Sequence, residues 1–83
     1  MRKRIALGAA IKAIRTAKAA IDPDKFAGSK FSVACLVSHG TLCNIEAGRR
    51  QPSEELIHRI AALLGEPVEA ISYLIDVPME AAA

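Results

Sequence analysis

The sixteen residues SHGTLCNIEAGRRQPS, at positions 38–53, contain a helix-start signal, polar residues at helical spacing, a glycine and two adjacent arginines. Ser38 has a hydroxyl side chain suited to capping the first turn of a helix. Leu42 and Ile45 lie three residues apart, the spacing of neighbours on one side of a helix, and Gly48 is suited to end it. Two arginines directly follow the glycine. The stretch therefore predicts a short helix with one apolar side, polar residues opposite, and cations at its end.

The rest of the chain predicts more helices. A length of 83 residues fits one small domain with a single core. Hydrophobic residues form 52% of the chain but aromatic residues only 4%, so the core is built from alanine, isoleucine, leucine and valine, which favour packed helices. Apolar periodicity predicts helices at residues 5–20, 29–36, 38–48, 53–64 and 67–75. We therefore predict an all-α fold, a compact five-helix bundle.

Shorter segments flank and connect these helices. The predicted parts of the chain are a basic N-terminal arm at residues 1–4, a folded domain at 5–77 and a frayed tail at 78–83. The β-branched and aromatic residues at 70–77 also suit a strand, so helix and strand both stay open there. The stretch IDPDKFAGS predicts a loop, because Pro23 disfavours helix at the residue before it, and Ser29 is a candidate N-cap for the second helix.

The sequence predicts two short helices joined by a tight turn, and the second helix is amphipathic and followed by cations. This arrangement is typical of a helix-turn-helix. The pattern S-x-x-T-[IL]-x-x-[IL]-E-x-G-[KR]-x-x-P-S is met by Ser38, Thr41, Leu42, Ile45, Glu46, Gly48, Arg49, Pro52 and Ser53. In this pattern the chain resembles the helix-turn-helix domains of lambdoid phage Cro and repressor proteins, over residues 7–75. It looks closest to the small Cro-like and immunity-repressor regulators of actinobacterial viruses and their hosts.

The resemblance implies a lambda-repressor-like domain that binds double-stranded DNA in a sequence-specific way and represses transcription. The helix that begins near Ser38 would then read bases in the major groove through His39, Thr41, Cys43 and Asn44. Asn44 has an amide that both donates and accepts, which matches the N6 and N7 edge of adenine. His39 suits guanine N7 or a phosphate, and Cys43 suits a thymine methyl group or no contact at all.

The resemblance and the charge distribution together imply contacts with the DNA backbone. Residues 1–50 hold ten Lys and Arg against three Asp and Glu, a balance of +7, whereas residues 51–83 hold one against six, a balance of −5. Such polarity is expected of a domain with one face toward a polyanion. The residues assigned to backbone contacts are Ser38, Gly40, Arg49, Arg50, Lys30, Arg2, Lys3 and Arg4. Alternatively, the arginines complement the helix dipole and the terminal cations are ordinary solvated surface.

Two features concern the scaffold around the recognition helix. In the family the glutamate of the pattern pairs with a basic residue of the first helix, which implies a structural ion pair between Arg15 and Glu46. The family also usually has glycine in the turn before this helix, where the chain has Leu36 and Val37. We therefore expect a turn that avoids positive φ or is held by packing. The loop between the first two helices is longer than in the family, and its lysines suit additional backbone contacts.

A domain with one recognition helix reads only a few base pairs, so we expect a homodimer, at least on DNA. Residues 68–77 are the predicted self-association surface, through Ile71, Tyr73, Leu74 and Ile75; alternatively, these side chains close the core.

No stretch has the roughly 18 to 20 apolar residues of a membrane span. We expect a soluble protein of the bacterial cytoplasm, associated with the nucleoid, with no membrane contact, small-molecule substrate or cofactor.

Other interpretations compete with DNA binding. Cys35, His39 and Cys43 are spaced to share one side of a single helix as metal ligands, but the break at residues 37–38 separates them and the spacing is not that of a zinc finger. We expect no metal and two cysteines that act as small buried residues.

No residue pattern indicates catalysis, so we expect no enzyme. The remaining alternative is a protein-interaction module, such as an antitoxin or a transcription-complex adaptor. Strong DNA binding without a partner would argue against it.

Overall fold

The computed structural model describes residues 1–77, in which five helices and two strands follow one another. Their bounds are β1 Arg2–Ala6, α1 Gly8–Ala19, α2 Pro23–Phe26, α3 Gly28–Ala34, α4 His39–Glu46, α5 Glu54–Leu64 and β2 Ser72–Asp76, with a 3-10 turn at Val68–Ala70 before β2. Within these residues, no helix combines the length and the apolar composition that crossing a membrane requires. The predicted frayed tail, residues 78–83, lies outside the described residues.

The all-α prediction is wrong, because the two ends of the described chain form an antiparallel sheet. β1 pairs with β2 so that Arg2 lies opposite Asp76. Ile5, predicted to begin the first helix, lies in β1, and the predicted boundary between arm and domain falls inside this strand. The fifth predicted helix is reduced to the 3-10 turn. Of the two alternatives for residues 70–77, the strand is therefore the one observed.

The sheet forms because the N-terminal segment satisfies the backbone of β2. The sequence SYLID favours an extended chain, and an extended chain needs a neighbouring strand for its N–H and C=O groups. Hydrogen bonds at both ends continue the ladder: Leu7 N–H donates to the Ile71 carbonyl and Val77 N–H to the Met1 carbonyl, each at 2.7 Å. The two segments lie at opposite ends of the described chain, so no local pattern links them.

The core lies between α1, α3, α4 and α5. Its buried side chains are Ile11, Phe31, Cys35, Leu42, Ile45, Ile57, Ile60, Ala61, Leu64 and Ile71. Ile71 closes the core next to the 3-10 turn, whereas Tyr73, Leu74 and Ile75 are exposed on β2. The alternative that these side chains close the core therefore holds for Ile71 and not for Tyr73, Leu74 and Ile75.

Most helix ends follow the local sequence signals. Ser38 and Ser53 cap α4 and α5, since each hydroxyl accepts a hydrogen bond from a backbone N–H of the first turn. The cap predicted at Ser38 is therefore confirmed. Gly48 and Gly65 follow α4 and α5 with φ of 78° and 69°, the left-handed conformation in which glycine ends helices most easily.

The segment between α1 and α3 differs from its prediction. The predicted loop contains α2, a single helical turn that begins with Pro23. Phe26 at the end of α2 stacks on Phe31 of α3, with ring centroids 6.1 Å apart, and this contact anchors the turn. Ser29 does not cap α3, because the helix already begins at Gly28 and has no side-chain cap.

The turn between α3 and α4 is made by a leucine in the left-handed conformation. Leu36 has φ of 63°, so the expectation that this turn avoids positive φ is wrong. The residue is 76% exposed, which excludes packing of its side chain as the restraint. Backbone hydrogen bonds hold the turn instead: Leu36 N–H donates to the Val33 carbonyl and Val37 N–H to the Ser32 carbonyl, both at 3.0 Å.

Helices α1 and α4 cross in close contact. A Cβ atom at Gly8 would collide with the carbonyl oxygen of Ile45 and would lie 2.8 Å from that of Glu46. Because backbone atoms cannot give way as a flexible side chain can, this crossing requires a residue without a side chain. The contact positions the C-terminal part of α4 on the scaffold.

Candidate functional site

Helix α4 has one buried and one exposed side, and the exposed side contains most of the residues singled out from the sequence. Leu42, Ile45 and Glu46 are buried against the scaffold. The opposite side exposes His39, Gly40, Cys43 and Ala47, while Thr41 and Asn44 are half-buried. Three of the exposed residues are small, so the backbone of α4 lies close to the molecular surface along this side.

The first turn of α4 is held by a pair of side-chain hydrogen bonds. The Ser38 hydroxyl accepts from the Thr41 N–H at 3.0 Å and donates to the Thr41 hydroxyl oxygen at 2.9 Å. Ser38 is therefore committed to capping. Thr41 retains its own hydroxyl hydrogen, which can be donated to another group.

The first turns of α3 and α4 lie side by side. The Nε2 atom of His39 is 2.7 Å from the position that a Cβ atom would take at Gly28, and Nη1 of Arg15 is 3.7 Å from the same position. Glycine at position 28 therefore makes room for the imidazole. The sequence pattern indicates only a helix break at this glycine, because its contact with His39 depends on the packing of two helices.

An ion pair fastens α4 to α1. Arg15 donates from Nε to Oε2 of Glu46 at 2.6 Å and from Nη2 to Oε1 at 3.1 Å. Its Nη1 donates to the Phe26 carbonyl at 3.1 Å, which ties α2 to the same point. The side chains of Arg15 and Glu46 are only 12% and 5% exposed. The hydrogen bonds to Glu46 raise the pKa of Arg15 despite the opposing effect of burial. The ion pair that the resemblance implies is thus present.

The chain folds back onto α4 directly after the helix ends. With Gly48 in the left-handed conformation, the N–H groups of Arg49 and Arg50 both point at the Asn44 carbonyl, at 2.9 and 3.2 Å. The Arg49 side chain follows the same course, and its Nε donates to Oδ1 of Asn44 at 3.0 Å. The resemblance implies separate roles for Asn44 and Arg49, a base contact and a phosphate contact, whereas in the structure the two side chains are in contact.

The cations assigned to the DNA backbone fall into two groups. The exposed ones are Arg2, Lys3, Lys30, Arg49 and Arg50. Arg4 differs, because its side chain is only 11% exposed. It donates to the Ser72 hydroxyl at 2.9 Å and lies 3.7 Å from the Glu54 carboxylate. Arg4 therefore fastens β1 to β2 and α5, and the structure removes it from the residues able to reach a phosphate.

Gln51, a residue without a predicted role, joins the sheet to the end of α4. Its Oε1 accepts from the Ala6 N–H at 2.6 Å. This bond holds the loop after α4, with its two arginines, against the end of β1. The partners are far apart in the sequence and neither belongs to a motif, so no sequence signal indicates the contact.

The two cysteines have different environments. Cys35 is buried in the core, and burial raises the pKa of its thiol to about 11. Cys43 is exposed on α4, so the expectation of a buried residue is wrong for it. Cys35 therefore does not share a surface with His39 and Cys43. Among residues 1–77, no three His, Cys, Asp or Glu side chains are placed to hold a metal ion.

Comparisons of the chain with protein-family models, curated proteins and solved structures find no match. The resemblance to Cro and repressor proteins therefore rests on the residues of the pattern. Function has to follow from what α4 and its surroundings can contact.

Proposed function

We propose that the protein is a sequence-specific, double-stranded DNA-binding regulator that represses transcription by occupying promoter or operator sequence. One observation carries the proposal: α4 is fixed to the scaffold by its buried side, while its opposite side is open to a partner. A helix with its side chains is roughly 10 to 12 Å across, and the major groove of B-form DNA is about 12 Å wide. Such a regulator acts in the bacterial cytoplasm, at the nucleoid.

The composition of the exposed side supports close approach to the floor of the groove. Gly40 carries no side chain, and a Cβ atom there would meet only the Ser38 hydroxyl oxygen, at 4.0 Å. Cys43 and Ala47 are also short. His39 and Asn44 are then the polar side chains able to reach base edges, with Cys43 placed for an apolar contact such as a thymine methyl group.

The exposed cations support contacts with the sugar-phosphate backbone on both sides of α4. Lys30 lies in α3, whose first turn adjoins that of α4, and Arg50 follows the end of α4. Arg2 and Lys3 lie on β1, which Gln51 joins to the same loop. Contacts of this kind release counterions, so the affinity should fall steeply with salt.

The open edge of β2 supports binding as a pair. In an antiparallel ladder, residues alternate between pointing their backbone groups at the partner strand and away from it. The bonds at Leu7 and Val77 fix this alternation, so the backbone groups of Tyr73 and Ile75 point at β1 and those of Leu74 point outward. Within residues 1–77, no strand covers this outer edge.

The edge of β1 is less suited to pairing. The outward N–H of Ala6 is already bonded to Gln51, and the strand carries three cations that would repel a second copy of itself. A second copy adding its β2 to the open edge would form a four-stranded sheet. Two recognition helices on related half-sites would supply the selectivity that one helix lacks.

The direct experiment is a selection of bound sequences from a pool of random duplexes, followed by titration of the selected duplex at several salt concentrations. We expect one enriched motif with two related half-sites about one helical turn apart. The logarithm of the affinity should fall linearly with the logarithm of salt concentration. Arg50→Ala should weaken binding to cognate and unrelated duplexes alike and reduce the salt slope by about 1. Absence of any complex at low ionic strength would reject the proposal.

The exposed thiol of Cys43 offers a test of the docking face. At neutral pH a water-soluble thiol reagent should modify Cys43 and spare Cys35, which is buried and has a raised pKa. Cognate duplex should slow this modification, because α4 would then lie inside the groove. A Cys43→Ala variant that still binds DNA provides the unreactive control. Modification at an unchanged rate in the complex would show that another surface binds the DNA.

A further inference from the structure

We propose that Asn44 and Arg49 act as one recognition unit that specifies guanine at one position of the bound site. The inference rests on the proposed DNA-binding function and assigns a base to part of that surface. Arg49 then contacts a base together with Asn44 and is not one of the residues that contact only phosphates.

The contact between the two side chains fixes the orientation of the Asn44 amide. The guanidinium group has only donors, so the atom that faces Nε of Arg49 at 3.0 Å must be the carbonyl oxygen Oδ1 and not the amide nitrogen. The backbone supports this arrangement, because the left-handed Gly48 brings the Arg49 N–H to the Asn44 carbonyl as well. Side chain and main chain of Arg49 are therefore both bonded to the same residue of α4.

The pair then presents donors to its surroundings. The Asn44 Oδ1 already accepts from Arg49 with one of its two lone pairs and lies beside the guanidinium charge, while Nδ2 and the terminal nitrogens of Arg49 form no other hydrogen bond or ion pair within residues 1–77. Asn44 alone would be able to donate and accept together, but Asn44 with Arg49 offers N–H groups and a positive charge.

Of the four bases, guanine matches this set of donors best. Its major-groove edge carries two acceptors, N7 and O6, whereas adenine carries one acceptor and an amino donor. The amino group of adenine would have to share Oδ1 with the guanidinium and would lie beside its positive charge. Cytosine presents a donor, and thymine presents one acceptor beside a methyl group. The adenine contact expected for an isolated asparagine is therefore replaced by a guanine contact.

Arg50 provides a matched control for Arg49. It is the adjacent cation, it is also exposed, and its side chain has no hydrogen-bond or ion-pair partner within residues 1–77. A simple phosphate contact predicts similar effects for both arginines. A positioning role predicts that only Arg49 changes which base is preferred.

The experiment compares the sequences selected by the wild-type protein and by Asn44→Ala, Arg49→Met, Arg49→Lys and Arg50→Met. Wild type should select guanine at one position of each half-site, and replacing this guanine by adenine should weaken binding about 5- to 150-fold. Asn44→Ala, Arg49→Met and Arg49→Lys should lose this preference at the same position. Arg49→Lys should nevertheless keep the wild-type salt dependence, since it retains the charge. Arg50→Met should keep the guanine preference and bind all duplexes less tightly.

The outcomes separate this inference from the proposed function. A wild-type protein that binds no duplex at low salt contradicts DNA binding itself. A protein that selects a motif in which adenine occupies the position sensitive to Asn44 overturns the guanine assignment. Equal effects of Arg49→Met and Arg50→Met, with no shift in base preference, overturn the unit formed by Asn44 and Arg49. Because Arg49 is exposed and Asn44 is only half-buried, circular dichroism should show unchanged folding of each variant. Arg49→Lys is the conservative substitution if Arg49→Met unfolds.

Discussion

At the scale of single residues, the buried charges of Arg15 and Glu46 make the strongest individual demand on the fold. Removing one partner of a buried pair leaves the other charge without compensation. Glu46→Gln should therefore lower the free energy of unfolding by about 3 to 5 kcal/mol, as measured by urea denaturation. Glu55→Gln is the matched control: Glu55 is 84% exposed and pairs with Arg59 at 3.2 Å. Glu55→Gln should lower the free energy of unfolding by less than about 1 kcal/mol. Equal losses would contradict a buried role for Glu46.

Replacing Leu36, which has a left-handed backbone conformation, by glycine should stabilise the folded protein. A residue with a Cβ atom in this conformation costs roughly 1 to 2 kcal/mol, and glycine avoids this strain at a smaller cost in unfolded-state entropy. Because the leucine side chain is exposed, little packing is lost when it is removed. Leu36→Gly should raise the free energy of unfolding by up to about 1 kcal/mol. Leu36→Ala keeps the Cβ atom and should not, so similar gains for both variants would show that strain is not the cause.

The buried thiol of Cys35 predicts a loss of stability at high pH. Its pKa is about 11 in the folded protein against an ordinary value of 9.0. Below pH 9 both states keep the proton; between pH 9 and 11 the unfolded state loses it first, so stability falls as the pH rises. The loss attributable to this thiol should reach about 2 to 3 kcal/mol near pH 11.

Cys35→Ala isolates the contribution of this thiol from every other pH-dependent contribution to stability. Its free energy of unfolding, measured by urea denaturation from pH 8 to 11, should decline less steeply than that of the wild type. Parallel curves for the two proteins would mean that Cys35 ionises equally easily in both states.

Features that depend only on neighbouring residues could be predicted from the sequence. Features that depend on contacts between residues distant in the sequence could not. Ser38 and Ser53 cap helices because a hydroxyl three residues before an N–H is a purely local arrangement. Leu36 and Arg4 were misassigned because their surroundings come from tertiary structure. Hydrogen bonds hold Leu36 in an exposed turn, and Ser72, distant in sequence, draws Arg4 inward.

At the scale of elements, the same distinction separates the helices from the strands. α4 and α5 each contain their periodicity, cap and terminal glycine within one short stretch, so sequence alone located them. β1 has the sequence RKRIA, which has no strand signal of its own. It forms a strand by pairing with β2. For β2, the β-branched and aromatic residues left helix and strand both open, because a strand also needs a partner that local sequence does not reveal.

Replacement by alanine should have opposite effects on stability at two glycines, one at the crossing of α1 and α4 and one on the exposed side of α4. Gly8→Ala should place a methyl group against the carbonyls of Ile45 and Glu46 and lower the free energy of unfolding by about 1 to 3 kcal/mol. At position 40 the added methyl group enters open space, and alanine favours the helix over glycine. Gly40→Ala should therefore raise the free energy of unfolding by up to about 1 kcal/mol. Thermal and urea denaturation of both variants would measure the difference. A neutral Gly8→Ala would show that the two helices can separate without cost.

At the scale of the whole molecule, the sheet and the helices have complementary tasks. The helices present α4, while the sheet ties the two ends of the described chain together and leaves one edge of β2 uncovered within residues 1–77. Gln51 and Arg4 join the sheet to the loop after α4 and to the start of α5. A second copy attached at the β2 edge would therefore be positioned rigidly relative to α4, which is what a fixed spacing between half-sites requires.

Leu74→Pro tests that arrangement, because the Leu74 N–H points away from β1. Proline at this position removes no hydrogen bond from the β1–β2 ladder but blocks the outer edge against another strand. The variant should fold, sediment as a monomer at concentrations where we expect the wild type to form dimers, and bind a single half-site with unchanged affinity. Its affinity for the complete operator should fall toward that of the half-site.

Tyr73→Pro and Leu74→Ala supply the contrast for this last variant. The Tyr73 N–H points at β1, so Tyr73→Pro should disrupt the sheet and reduce stability, whereas Leu74→Ala keeps the edge and should weaken dimers only partly. If Leu74→Pro remains dimeric in sedimentation and binds the operator as the wild type does, the two copies meet elsewhere. The rigid link from β2 through β1 and Gln51 to α4 would then play no part in setting the distance between recognition helices.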